Sequence, residues 1–387
     1  MTSTDTTADL AFTNLQFQII VPVFNEEKIL EKVLKYAKEA GYLDHIVFVD
    51  DASTDSSPKI LKCWASDEDV SVISLSVNGQ KEGAIRIAME VLQEEGKLLP
   101  YTILLDADSV IDESHLKTPV SVAIEQAISF LDQSNLSALA LRLEAVSDTP
   151  KNLLYRSAFS DFHGMQFDNW LVSKQFQVWV INGSGGLFET EILQSILSTM
   201  TPDFETGDLV ITAELMKRKA SIGYYPSIKV HTFVPTTLSG YFNQRRRWER
   251  GTTKVLWYDR KFYIKNFSQP SLLAFYTVLH LALYIGIILT PIIHYFTPLT
   301  LLAYAKLLGT VYIFWQVTNL LKGTYIRYLG IRCPYPFFLK TILIHGIVWM
   351  LITGFARLTG FCEGIYYILK YPGKRSNSLP VAPNIRE

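Results

Sequence analysis

The sequence predicts an α/β domain, a mostly parallel sheet flanked by helices, followed by an α-helical transmembrane domain. Three observations lead there. Short apolar, β-branched runs alternate with longer stretches of helical periodicity, acidic residues stand at the end of those runs, and uninterrupted hydrocarbon begins at Leu272. The 387 residues are 49% hydrophobic, more than an ordinary soluble chain carries, and the excess lies after Pro270.

The elements follow in order. Phe17 to Val23 is an apolar run closed by Pro22 and Asn25, and Glu26 to Ala40 has helical spacing with Gly41 as its stop. Ile46 to Val49 is a second strand leading into Asp50 and Asp51, Pro58 to Trp64 a helix, Val70 to Leu75 a third strand, and Glu82 to Gln93 a helix. Tyr101 to Leu105 is a fourth strand and Leu139 to Leu143 a further one. The pattern loosens from Phe159 to Trp170 before Val178 to Ile181 runs into Asn182, Gly183, Ser184, Gly185 and Gly186. Those glycines either let backbone approach a ligand or make a tight turn. Strand–helix alternation implies βαβ units, whose ligands bind beyond the strand C-termini. Asn25 with Glu26, Asp50 with Asp51, and Asp106 with Asp108 are therefore expected in one crevice. The absence of a Gly-x-Gly-x-x-Gly or Walker loop disfavours dinucleotide and ATPase readings.

The expected organisation is a disordered tip (1–14), a cytoplasmic catalytic domain (15–240), an amphipathic interfacial segment (241–270), a transmembrane region (271–371) and a tail (372–387). Leu272 to His294 has no Asp, Glu, Lys or Arg and is long enough to span roughly 30 Å of hydrocarbon. Leu299 to Leu321 carries only Lys306, and Thr341 to Ala356 is a shorter third segment of open topology. Lys322, Arg327, Arg332 and Lys340 put the intervening loop in the cytoplasm with the catalytic half. The first residues show no signal peptide, so the expectation is an integral membrane protein, of the plasma membrane, with a cytoplasmic catalytic face. A net charge of −1 gives nucleic acid no purchase. Cys63, Cys333 and Cys362 match no metal or disulfide spacing and fit a reducing compartment.

Asp106-Ala107-Asp108, at a strand end, offers hard oxygens for Mg2+ or Mn2+, with Asp108 on the metal and Asp106 on metal and donor; the bland alternative is a solvated turn. Asp208 is the candidate general base, or simply a first-turn helix acid, and Glu205 is the other contender. Gln244, Arg245, Arg246, Arg247 and Trp248 offer guanidinium groups to a diphosphate and an indole to a sugar. Arg245, Arg246 and Trp248, with Trp257 and Tyr258, serve equally as headgroup anchors.

From Phe17 to Tyr371 the chain resembles the family 2 glycosyltransferases, with the inverting GT-A fold and membrane layout of cellulose, chitin, hyaluronan and nodulation chitooligosaccharide synthases. Val21-Pro22-Val23-Phe24-Asn25-Glu26 is similar to the first-strand motif, and Val49-Asp50-Asp51-Ala52-Ser53-Thr54-Asp55 to the nucleoside-holding Asp-Asp-Gly-Ser motif, with Ala52 for its glycine. Asn78-Gly79-Gln80-Lys81-Glu82-Gly83-Ala84 resembles the segment whose lysine reaches the donor phosphates. Thr206-Gly207-Asp208 departs from the usual Thr-Glu-Asp. The resemblance implies donor contacts from Pro22, Asn25, Glu26, Asp50, Asp51, Lys81 and Asp106, and acceptor contacts from Gly183, Ser184, Gly185, Gly186 and Trp248. It implies metal ligation by Asp108 and Asp106, and catalytic roles for Asp208, Gln244, Arg247 and Trp248. A UDP-sugar donor, Mg2+ or Mn2+, membrane lipids and a polysaccharide acceptor follow. A ceramide glucosyltransferase-like synthase adding one sugar to a lipid-linked acceptor is the runner-up, and a non-catalytic GT-A membrane scaffold the third reading.

Overall fold

The computed structural model describes residues 17–266, apart from 69, 150–151, 174–177, 179 and 201–204, together with 352–371 and scattered single positions between. The first half is the expected alternation: β1 (Phe17–Val23), α1 (Leu30–Glu39), β2 (Ile46–Asp50), α2 (Ser57–Asp67), β3 (Ser71–Ser74), α3 (Gln80–Glu94) and β4 (Tyr101–Leu104). Then follow β5 (Ser109–Ile111), α4 (Val120–Gln133), β6 (Ala138–Val146), α5 (Leu153–Ser173), β7 (Gly186–Glu189), α6 (Thr190–Thr199), α7 (Gly207–Lys217), β8 (Ile222–Phe233), α8 (Leu238–Tyr258), α9 (Arg260–Asn266) and α10 (Gly354–Lys370).

All eight described strands join one sheet in the order β3-β2-β1-β4-β7-β6-β8-β5. Strands β3, β2, β1 and β4 run parallel, with Ile19 opposite Ile46 and Phe17 opposite Tyr101. The expectation of a mostly parallel sheet needs correction, because β7 enters antiparallel between β4 and β6, and β5 antiparallel to β8. The reversal is made by the glycine loop before β7, where Gly185 has φ +90. Its amide donates to the Leu104 carbonyl at 2.8 Å, seating β7 beside β4.

Both sheet faces are dry, which is why the strands read as continuous apolar runs. Ile19, Val21 and Val23 face one core with Leu30 and Leu34 of α1 and Ile124 and Ile128 of α4. Ile20, Val47, Val49 and Leu104 face the other, with Ile85 and Met89 of α3 and Leu209 and Ile211 of α7.

The expected interfacial segment is α8, and α10 packs along it through Ala356, Gly360, Gly364 and Ile368, a stripe at four-residue spacing. Small residues set the approach: a methyl at Gly360 would overlap the Arg246 carbonyl, and one at Gly364 would lie 2.9 Å from Thr253. Arg250 of α8 donates to Glu363 of α10 at 2.7 Å. The end of the expected transmembrane region is therefore a helix docked by charge and small-residue packing on α8. Among the described residues no helix is long and apolar enough to cross a membrane. Leu272 to His294, Leu299 to Leu321 and most of Thr341 to Ala356 lie outside the described residues, single positions apart.

Candidate active site

The crevice is bounded by the loops after β1, β2 and β3, and each contains a non-glycine residue held in the left-handed region: Asn25 (φ 59), Ala52 (φ 57) and Gln80 (φ 59). That conformation costs Ala52 and Gln80 on the order of 1–2 kcal/mol each and asparagine less, so the surrounding contacts must hold these turns. They do. The Asn25 side-chain oxygen accepts from the amides of Thr54 (2.8 Å) and Asp55 (3.3 Å), and the Asn25 backbone amide donates to the Ser53 hydroxyl at 3.1 Å. The Glu26 amide donates to the Ser57 hydroxyl at 2.9 Å. These bonds stitch the β1 loop to the β2 loop.

Asp50 and Asp51, expected as donor ligands, are almost fully buried. Asp50 accepts from the Ser53 amide at 3.0 Å, and Asp51 accepts from the Gly79 amide at 2.6 Å. Burial raises the Asp51 carboxyl above the ordinary range, with the Gly79 bond opposing it. In this arrangement the pair shapes the wall of the crevice and anchors the turn that presents Lys81. Pro22 is half-buried within β1.

Lys81, in the first turn of α3, is the hub. Its ammonium donates to the Asp106 carboxylate and to the Gly183 carbonyl at 2.8 Å. The Gly183 amide in turn donates to the Asp208 carboxylate at 3.2 Å, and the Asp106 amide donates to the Ser184 hydroxyl at 3.2 Å. Four distant stretches thus close on one another: the Lys81 segment, the end of β4, the loop of Gly183 and Ser184, and the start of α7. Gly183 and Ser184 belong to this hub, whereas Gly185 and Gly186 pack into the sheet against Val230, Phe188 and Ile181.

Burial raises the Asp208 carboxyl above the usual range, and Lys81 partly restores its charge. Burial works against the Lys81 charge too, but Asp106 outweighs it and raises the ammonium pKa. Burial, with the charges of Asp106 and Glu26, pushes the Asp108 carboxyl up to about 7. Asp108 accepts from the hydroxyls of Ser109 (3.0 Å) and Thr232 (3.3 Å), which fix its orientation.

Glu205, the other candidate base, is held by the Arg250 guanidinium at 2.8 and 2.9 Å, which stabilises its charge and weakens it as a base, whereas among the described residues Asp208 accepts only from the neutral amides of Gly183 and Leu209. In the Gln-x-x-Arg-Trp stretch the fold buries Arg245, not Arg247. Arg245 bonds Asp161 at 2.9 Å and Gln244 at 2.8 Å and lies over the rings of Tyr241 (4.6 Å) and Trp248 (4.4 Å). Trp248 also meets Phe162 edge-on, so its indole is part of the core margin, while Arg247 is exposed.

One residue of the hub was missed by sequence reasoning. Glu82 is 7% exposed, and burial pushes its carboxyl up to about 7 against the pull of Lys81. An acid on the apolar stripe it shares with Ile85 and Met89 at helical spacing was the available clue.

Among the described residues no group of three or more His, Cys, Asp or Glu side chains is arranged to hold a metal ion. Two carboxylates nevertheless suit a cation that keeps waters and takes substrate phosphates as its remaining ligands. Asp108 fits best, because its charge is unfavourable where it stands and an adjacent cation would relieve that cost.

An α/β sheet whose strand-end Asp106 meets Lys81 beside Asp208 can hold an anionic leaving group and take a proton, and the family models give the class. A family model described as glycosyl transferase family group 2 matches residues 101–317, and one described as glycosyl transferase family 2 matches residues 18–165; the chain belongs to this family. It is 23% identical over 249 residues to a poly-beta-1,6-N-acetyl-D-glucosamine synthase of Staphylococcus epidermidis, covering 62% of this chain and 55% of the relative. A protein of the same description from Staphylococcus aureus is 24% identical over 283 residues, covering 69% and 63%. The chain thus spans between about half and two thirds of the length of these relatives. The fold resembles that of the mannosyltransferase PcManGT from Pyrobaculum calidifontis, solved with GDP-Man and Mn2+. The TM-score is 0.50 at 16% identity, with 87% of each chain covered, a likeness of GT-A-like fold alone.

Proposed function

We propose that this protein transfers a sugar from a UDP-sugar to the hydroxyl of a growing polysaccharide at a membrane surface, inverting the anomeric centre. The observation that carries the reading is the meeting of Lys81, Asp106, Gly183 and Asp208 in one hydrogen-bonded hub. Asp208 takes the acceptor proton: burial favours its neutral form, so a carboxylate held there is a stronger base than one in water. Lys81, pinned between Asp106 and Gly183, presents a fixed positive charge to the departing diphosphate without reorganisation. Asp108, with Asp106, would hold Mg2+ or Mn2+, which supplies further charge neutralisation at the leaving group. The buried walls built on Asp50 and Asp51 keep these groups in register with the nucleoside side of the crevice.

A polysaccharide product is favoured over a glycolipid by the descriptions of the Staphylococcus relatives. A membrane placement, catalytic domain facing the cytoplasm, is favoured by the hydrocarbon runs of the sequence. Exposed Trp257, Ile264, Phe355, Tyr366 and Leu369 on α8, α9 and α10 suit a lipid surface. The test is UDP release by full-length protein in detergent with a panel of UDP-sugars and Mn2+ or Mg2+, followed by mass analysis of the product. A ladder spaced by one sugar supports the reading. One sugar on a lipid replaces it with the glycolipid synthase, and no release from any donor overturns it in favour of a scaffold.

A further inference from the structure

The departure of Thr206-Gly207-Asp208 from the Thr-Glu-Asp pattern has a structural counterpart. The space beside Gly207 is filled: a Cβ built there would overlap the carboxyl group of Glu82. Glu82 comes from the first turn of α3, far away in sequence, and is directed at the first residue of α7, next to Asp208. A buried cavity of about 10 Å3, room for about one water, is lined by Lys81, Glu82, Asn182, Gly183 and Asp208. The Asn182 amide nitrogen is buried in that wall without a hydrogen-bond partner among the described residues. Lys81, adjacent in sequence to Glu82, is charge-coupled to Glu82 and Asp208 and paired with Asp106. A buried acid directed at a glycine beside the base is costly unless something uses it.

We propose that Glu82 is a positioning residue for Asp208: its carboxyl group occupies the place that a side chain at position 207 would take, and so holds the start of α7 against the segment whose Lys81 bonds Asp106 and Gly183. The proposal rests on the reading of Asp208 as base. Gly207 and Glu82 form a pair in which the carboxylate has been supplied from α3 instead of α7. Neither residue touches substrate in this account; both act through the orientation of Asp208 and Lys81.

The experiment is a carboxylate relocation in the full chain, read as kcat and donor KM for UDP release. Glu82→Ala is expected to lower kcat about tenfold, less than the roughly 100-fold of a misplaced reacting group, with donor KM changed less than about twofold. Gly207→Ala should do the same, because the methyl displaces the Glu82 carboxyl group. The double variant Glu82→Ala with Gly207→Asp, whose carboxyl lies one bond beyond Cβ, should recover at least about threefold over Glu82→Ala. Glu82→Gln keeps the shape and serves where Glu82→Ala does not fold: kcat again falls while KM holds. The proposal is overturned if the Glu82 variants keep kcat within about twofold of wild type, if KM rises in step with the loss, or if relocation gives no recovery. Asp208→Asn, measured alongside, separates the two levels. Turnover retained by Asp208→Asn removes the base reading itself, whereas its loss with a silent Glu82 series removes only the positioning role.

Discussion

Lys81→Met removes the cation on which the hub is built and leaves the carboxyl groups of Asp106, Asp208 and Glu82 facing one another. The side chains of Lys81 and Asp106 are 30% and 39% exposed, so their pair is neither a surface bridge nor a fully buried one. Removing one partner of a buried pair costs about 3–5 kcal/mol and an exposed pair is worth about 0–1, which puts this one, screened by the crevice, near 2 kcal/mol. Loss of the bond to the Gly183 carbonyl adds about 1 kcal/mol. A total near 3 kcal/mol lowers Tm by roughly 6–12 °C for a domain of this size. Catalysis should fall for a second reason. Lys81 favours the charged form of Asp208, so without it the carboxyl holds its proton to higher pH, and the acid limb of the pH–rate profile moves to the alkaline side. Thermal melts and UDP release across pH measure both effects. A Tm within about 2 °C of wild type and a superimposable pH profile would refute the hub.

Three further outcomes follow from the packing. Ala52→Gly should stabilise the fold by about 1 kcal/mol, seen as a Tm rise, since glycine adopts φ 57 without strain. Burial raises the Glu144 carboxyl, but the His231 bond and Arg142 outweigh it and hold it down to about 2, against an ordinary 4.5. A depressed carboxyl stabilises the fold above the unfolded value and loses that contribution as pH falls through the folded one. Glu144→Gln should therefore lower Tm at neutral pH, and its deficit should vanish between about pH 4.5 and 2 in melts taken across that window. Arg245→Met should destabilise by about 3 kcal/mol by breaking the buried ion pair with Asp161, while the donor KM of the folded fraction holds; a fall in affinity without a fall in Tm would show Arg245 on the donor.

Strands β1, β2 and β4 were legible because each is buried on both faces and bounded by turn residues, and the edge strand β3 because Val72 and Ile73 sit in a short apolar run. Strand β5 is three residues long, and β7 is a four-residue run beyond the glycine loop, too short for any periodicity. Strand β8 contains Pro226 and Ser227 opposite the register shift at Leu141 and Arg142, which breaks its alternation. Helix α5 was obscured by buried polar residues. Gln166 donates to the Leu143 carbonyl at 2.9 Å and Asn169 to the Val180 carbonyl at 3.2 Å, bonds that no periodicity reveals. In the site, Asp106, Asp108 and Asp208 stood out as carboxylates at a strand end and a helix start, whereas Lys81 stood out through the family resemblance alone. Asp50 and Asp51 stood out by position only, since their burial is a property of the folded loops. Arg245 and Arg247 differ by the face of α8 on which they fall, and Glu82 by what lies opposite it at Gly207.

The most direct measurement is sugar transfer by Asp208→Asn beside its affinity for UDP, with Mn2+ present. The asparagine keeps the shape of the side chain and one oxygen to accept from the Gly183 amide while removing the carboxylate that takes the proton. The account predicts transfer slowed by roughly 100-fold or more with UDP affinity nearly unchanged. Transfer at the wild-type rate, or a parallel loss of UDP affinity, would contradict it.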